Sequence, residues 1–176
     1  MTASVQATLS GKVATITGDT IFVKTADGSI KTLSIAKDAT IFARRPATLD
    51  SIKPGEAMGV AADRASDGTL TATVINVFPP ELGTRVRMGQ FPMPNGQVMT
   101  NATVDSIGGG VQGRQLLLKY AMLTATILVP DKAQIHRSTP ISLGALRVGQ
   151  EISARGTIGP DGVFKAANLT VDLPAP

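Results

Sequence analysis

The sequence predicts an all-β protein made of two tandem small OB-like β-barrels related by an internal repeat, and three observations carry that prediction. Apolar residues recur with a period of two, as where Ile21, Val23 and Thr25 alternate with Phe22 and Lys24; this is the spacing of a strand with one buried face. Asp-Gly pairs separate such runs at Asp27–Gly28, Asp67–Gly68 and Asp161–Gly162, and Asp-Gly supplies the positive φ angles of a tight hairpin. Finally the chain repeats itself. Residues 33–77 align without a gap on residues 127–171, a constant offset of 94.

Nine of those 45 positions are identical: Ala39/Ala133, Ile41/Ile135, Pro46/Pro140, Leu49/Leu143, Gly55/Gly149, Asp67/Asp161, Gly68/Gly162, Ala72/Ala166 and Val77/Val171. The matched Gly and Pro are turn residues and the matched aliphatics lie in strand patterns, so the repeat is structural. Upstream, Val13-x-x-Ile16 answers Val104-x-x-Ile107, and Ile21–Lys24 answers Leu116–Lys119. The expected division is therefore barrel one over 5–78, an irregular linker over 79–98 and barrel two over 99–173.

In barrel one, Asp27–Gly28 joins the run around Ile21–Lys24 to a run through Ile30, Leu33 and Ile35. Thr48–Lys53 is a short helical candidate before Pro54–Gly55. Met58–Arg64 and Leu70–Val77 then form a hairpin about Asp67–Gly68. In barrel two, Ser142–Arg147 matches the helical turn, and Glu151–Ile158 and Phe164–Val171 match the hairpin. Gly108–Gly113 reads as a flexible hairpin loop inserted in the second copy. Five or six short strands with one helical turn fit a closed barrel, which leaves no open sheet edge. The linker carries four prolines and three glycines between Pro79 and Gly96, so regular helix or strand is not expected there.

Composition excludes several chemistries. The 176 residues hold no Cys, one His and no Trp, which removes disulfides, a thiol nucleophile and a zinc site of several imidazoles. No apolar run approaches the roughly 18 residues of a membrane span. Met1–Ser4 lacks the basic start and apolar stretch of a secretory signal, so the chain reads as cytosolic or as a mature chain whose signal is gone. The formal charge of +4 is spread thinly, with Arg44–Arg45 the one adjacent basic pair.

Taken together, the Val-x-x-Ile strand, the Leu/Ile-x-x-Leu/Ile-x-x-Gly turn and the Asp-Gly-x-Leu/Phe-x-Ala hairpin resemble the bacterial domain of unknown function 5666 family. So does Met99–Thr100–Asn101–Ala102–Thr103–Val104 at the start of the second copy. The resemblance covers nearly the whole chain. It implies tandem OB-like barrels and a periplasmic or otherwise extracytoplasmic address for a mature chain without its signal peptide. It brings no catalytic residues.

Two clusters are candidate sites. Arg44 and Arg45 follow Ile41–Phe42, His136 and Arg137 follow the matched Ile135, and Arg85 and Arg87 lie in the linker. Arginine forks match carboxylate or phosphate in a bidentate fashion, so these six residues are candidates for holding an anion. Met88, Met93 and Met99 fall within twelve residues of the linker; thioether sulfur suits Cu(I), although Met equally fills irregular gaps.

A nucleic-acid role would need aromatic platforms for stacked bases. Aromatics are 3% of the chain, and Phe22, Phe42, Phe78, Phe91, Tyr120 and Phe164 mostly sit in apolar strand runs. Enzymatic readings lack a convergent carboxylate pair or a nucleophile motif. The expectation is a non-enzymatic binding or scaffold protein of the bacterial envelope, working through the inter-barrel groove and the linker on a protein or glycan partner. Copper binding through the linker Met residues is the alternative, single-stranded nucleic acid the second. No cofactor is otherwise expected. The sequence does not distinguish a monomer from a homodimer.

Overall fold

The computed structural model describes residues 5–83, 86–110 and 113–174. The all-β class holds. Among the described residues twelve strands are formed, β1 (Val5–Thr17), β2 (Thr20–Lys24), β3 (Ile30–Pro46), β4 (Ala57–Arg64), β5 (Leu70–Val77), β6 (Gly89–Pro92), β7 (Val98–Gly110), β8 (Gly113–Tyr120), β9 (Leu123–Leu128), β10 (Gln134–Pro140), β11 (Glu151–Ile158) and β12 (Phe164–Asp172). Helical structure among the described residues is confined to 3₁₀ turns at Leu49–Ser51 and Leu143–Ala145 and a single turn, α1 (Pro80–Gly83). No helix there is long and apolar enough to cross a membrane.

Two compact units are formed, and they do not follow the repeat boundaries. Unit 1 joins the described residues up to Arg45 to Thr139–Pro174, while unit 2 is the continuous stretch Pro46–Ser138. In unit 1, β11 pairs with β1, β1 with β2, β2 with β3, β3 in parallel with β12, and β12 with β11. The ring of pairings closes on five strands. In unit 2, β4, β7, β8, β9 and β5 close a second ring, with β10 continuing the line of β9 along β5.

Contiguous barrels over 5–78 and 99–173 are therefore not what forms. Each ring takes its first three strands from one copy of the repeat and its closing hairpin from the other. The registers repeat residue for residue: Leu70 faces Ile127 in unit 2 as Phe164 faces Leu33 in unit 1. Ala57 faces Thr103 as Glu151 faces Lys12. The backbone bonds from Gly55 to Val104 and from Gly149 to Val13, both 2.8 Å, are likewise equivalent. The cause is visible at the matched prolines. Pro46 and Pro140 hold the residue before them extended, so the chain runs straight on rather than turning back onto its own strands. Ala47 N–H then donates to Ile135 at 2.8 Å, as Ile141 N–H does to Ile41 at 3.0 Å.

Each ring encloses its own core. Leu49, Ile52, Met58, Val60, Ile75, Val77, Val104, Leu116, Leu118 and Ile127 are among the residues filling unit 2. Val13, Ile21, Val23, Leu33, Leu146, Ile152, Phe164, Leu169 and Val171 are among those filling unit 1. The turns act as the sequence predicts: at Asp27–Gly28, Thr25 N–H donates to Ser29 at 2.9 Å and Gly28 has φ 86°. The Thr25 hydroxyl, then Ser29, bond the Asp27 carboxylate and hold its pKa down at about 2.

The described parts of two segments expected to be irregular include strand. Gly108, Gly109 and Gly110 are the end of β7, paired with Gln115, Arg114 and Gly113, so the described part of the Gly-rich insertion lengthens the β7–β8 pairing. The linker likewise supplies α1, which lies against β4, and β6, which pairs with β7. Pro92 is tolerated because β6 is an edge strand with β7 as its only partner among the described residues.

Candidate functional site

Two neighbouring clefts lie in unit 2, and they arise from a break in a strand. In unit 1, β3 runs uninterrupted from Ile30 to Pro46. The matching stretch of unit 2 is split into β9 and β10, because Pro130 stands where β3 has Ala36 and cannot donate a backbone bond. Val129 N–H still donates to Arg114 at 2.9 Å, and Ala133 N–H closes a turn on Pro130 at 3.0 Å. Two clefts flank this turn. One, of about 330 Å³, reaches towards Thr71, and the other, of about 240 Å³, towards Ala47–Leu49 and Ile135; they share Arg114, Val129, Pro130 and Asp131.

Arg114 and Asp131 are the charged residues common to both clefts. The Arg114 guanidinium pairs with Asp50 at 2.7 Å, with the Arg side chain 47% and the Asp side chain 79% exposed. An ion pair this exposed contributes little to stability, roughly 0–1 kcal/mol, and exchanges readily. The rest of the lining includes Asp131, Thr48 and Thr71 beside aliphatic residues such as Val129, Leu49 and Ile135. The surface can therefore accept an extended ligand along the turn and offer one exchangeable guanidinium to an acceptor group. Sequence reading missed it. The available signal was Ala36/Pro130, a non-match inside an otherwise aligned strand.

The residues singled out from the sequence are placed as follows. Arg44 donates to Asp172 at 2.7 Å and Arg45 to the Pro174 carbonyl at 3.1 Å, both within unit 1. Arg137 donates to both Glu56 oxygens, at 2.5 and 3.2 Å, and to the Ser51 carbonyl at 2.9 Å, within unit 2. Arg87 lies over the Phe91 ring, 4.8 Å from its centre, and its carbonyl accepts from Asn101 at 3.1 Å. His136 stands on β10 opposite Asn76 of β5. Arg85 lies outside the described residues. Each described arginine of the group is thus engaged inside its own unit.

The three Met residues are all half-buried, Met93 and Met99 within the β6–β7 hairpin and Met88 just before it. Met99 faces Phe91 across β6 and β7, with its sulfur beside Gly59. Met93 begins the turn, where its N–H donates to Gln97 at 2.8 Å. Met88 precedes β6. No three His, Asp or Glu side chains cluster as a metal set among the described residues. Of the aromatics, Phe42 and Phe164 are buried, while Phe22, Phe78, Phe91 and Tyr120 are half-buried.

The Arg137–Glu56 pair is the best-held ion pair of unit 2, with side chains 32% and 28% exposed. The hydrogen bond from Arg137, followed by the Lys53 N–H, holds Glu56 below its ordinary value of 4.5 against the opposing effect of burial. A depressed carboxylate stabilises the fold above its unfolded pKa and ceases to do so as pH falls through the folded value. Glu56→Gln is expected to lower stability by about 1–2 kcal/mol at neutral pH. Urea midpoints of variant and parent should converge as pH drops below 4.5. A gap that persists at acid pH would assign the effect to packing.

Set against known protein families, characterised proteins and solved structures, the chain matches none.

Proposed function

We propose that this chain is a non-enzymatic binding or scaffold protein, and that its working surface is the split cleft of unit 2 around Arg114. The observation that carries this reading is the pair of clefts on either side of the Pro130 turn, sharing one guanidinium. The occupant best suited is an extended protein segment bearing a carboxylate, since Arg presents a planar fork to carboxylates and the Arg114 guanidinium already pairs with the exposed Asp50 carboxylate. A place in the bacterial envelope rests on the family resemblance alone.

Titration of the whole protein with short acidic peptides, followed by amide NMR, tests this. Shifts are expected to concentrate at Gly113–Arg114 and Val129–Asp131 and to vanish in Arg114→Ala. Asp50→Asn, which frees the guanidinium, should tighten binding a few-fold. Unchanged binding in Arg114→Ala, or shifts remote from the cleft, would remove the proposal.

A further inference from the structure

The two rings repeat each other's registers but differ at one edge. In unit 2 the first part of β7 has neighbours on both sides: β4 pairs with residues 98–103 and β6 with residues 98–101. The equivalent part of unit 1 is the first part of β1. Thr8 faces Arg155 there as Met99 faces Ala61, and Ala7 faces Gly156 as Val98 faces Ala62. On its other side β1 meets β2 only from Lys12 onward. Among the described residues no strand pairs with the outer edge of Val5–Gly11.

Exposure follows that difference. Thr100 is fully buried and Ala102 is buried, whereas their counterparts Leu9 and Gly11 are half-buried. Met99 and Asn101 are half-buried, whereas Thr8 and Ser10 are exposed. Val5 and the Ile158 opposite it are exposed, at 64% and 41%. Natural edge strands are guarded by charges, proline or bulges. Val5-Gln6-Ala7-Thr8-Leu9-Ser10-Gly11 has neither charge nor proline, and its pairing with β11 is unbroken.

We infer that Val5–Gly11 is an interaction edge, and that its occupant is the same edge of a second copy of this chain, paired antiparallel about Thr8. The sequence is complementary to itself in that register. Thr8 meets Thr8 and Gln6 meets Ser10 on the outer face, where hydroxyl and amide pairs are favourable across strands. On the other face Ala7 meets Leu9, while Gly11 is already covered by Val23 and Lys24 of its own chain. Such a contact is isologous and closes at two copies. A strand like β6 is the less suitable occupant. Its Phe91 is received by Met99 near Gly59 and Phe78, and the corresponding positions of unit 1 are Thr8, Ser153 and Asp172.

The test is sedimentation of the whole protein over a range of concentrations, with charge pairs placed at the exposed positions. Wild type is expected to form dimers. Gln6→Glu with Ser10→Glu sets like charges against each other across the edge and should weaken the dimer at least tenfold. The matching pair, Gln6→Lys with Ser10→Lys, should do the same, and an equimolar mixture of the two variants should restore dimers. Because the chain has no Cys, Thr8→Cys adds one thiol; it should oxidise to a covalent dimer much faster than Ser153→Cys on neighbouring β11. A monomeric wild type would overturn the inference and leave the edge to a foreign strand. So would a dimer indifferent to the charge pairs, or equal crosslinking at the two cysteines.

Discussion

Expressed alone, residues 46–138 are expected to fold, and residues 5–78 are not expected to yield a folded monomer. The first segment carries every strand of the unit 2 ring and every residue of its core, from Leu49 to Ile135. A domain of that size is expected to be stable by roughly 5 kcal/mol. The second segment carries β1, β2 and β3 without the hairpin that closes them. Of the eleven buried core residues of unit 1, it keeps Val13, Ile21, Val23 and Leu33, and loses Leu146, Ile152, Ala154, Phe164, Ala166, Leu169 and Val171. It also carries β4 and β5 without β7, β8 and β9. An open three-stranded sheet with so little core does not offset its chain entropy. The one route left to 5–78 is association, in which the hairpin of one copy closes the strands of another. Amide dispersion and sedimentation of both fragments decide the matter. A dispersed, monomeric 5–78 would show that the repeat is self-sufficient, and the exchange of hairpins would then not be required for folding.

This outcome could not be read from the sequence, for a reason intrinsic to repeats. Val13-x-x-Ile16 and Val104-x-x-Ile107 present the same inward pattern, so a hairpin suited to pair with β1 is equally suited to pair with β7. Periodicity fixes which face of a strand is buried and leaves open which copy supplies the neighbour. The strands and turns themselves were legible: Leu70–Val77 and Glu151–Ile158 stand where alternation and Asp-Gly placed them. The Pro-rich linker was misread because proline forbids central strands and not edges, and β6 is an edge.

Much of the site chemistry was equally hidden. Arg137 looks like one of a cationic group in sequence, but Glu56 lies 81 residues away, and only the closed ring brings the two together. At Glu56 the repeat has Gln150, which keeps the local bond, accepting from the Arg147 N–H at 2.8 Å as Glu56 accepts from Lys53 at 2.9 Å. At Arg137 it has Ala43, so the ion pair has no counterpart in unit 1. Similarity between copies thus marked the scaffold, whereas the distinctive chemistry sits where the copies differ: Arg137, Pro130 with its cleft, and the open edge beside Thr8.

Gly156→Ala should be among the most damaging single substitutions in the chain, at about 2–3 kcal/mol. Gly156 sits at the register shift between β11 and β12, where Arg155 faces Asn168 and Gly156 faces Ala166. A methyl group built there would overlap the Lys165 carbonyl oxygen and come within 2.8 Å of its carbon and 3.0 Å of the Ala166 Cα. These are backbone atoms of a paired strand, so no rotamer change relieves the overlap and β12 itself must move. Because β12 closes the ring against β3 through Leu169 and Val171, displacement there reaches the core. The equivalent position at the matching shift in unit 2 is Ala62, fully buried with its methyl accommodated. Opposite substitutions are therefore expected to be harmful for opposite reasons: Gly156→Ala by overlap, and Ala62→Gly, by about 1 kcal/mol, through lost burial and added chain freedom. Urea unfolding of both variants at neutral pH separates them. A Gly156→Ala midpoint within about 0.5 kcal/mol of wild type would mean that β11 and β12 can part at this shift without cost, and that the ring is not closed as tightly as its pairings imply.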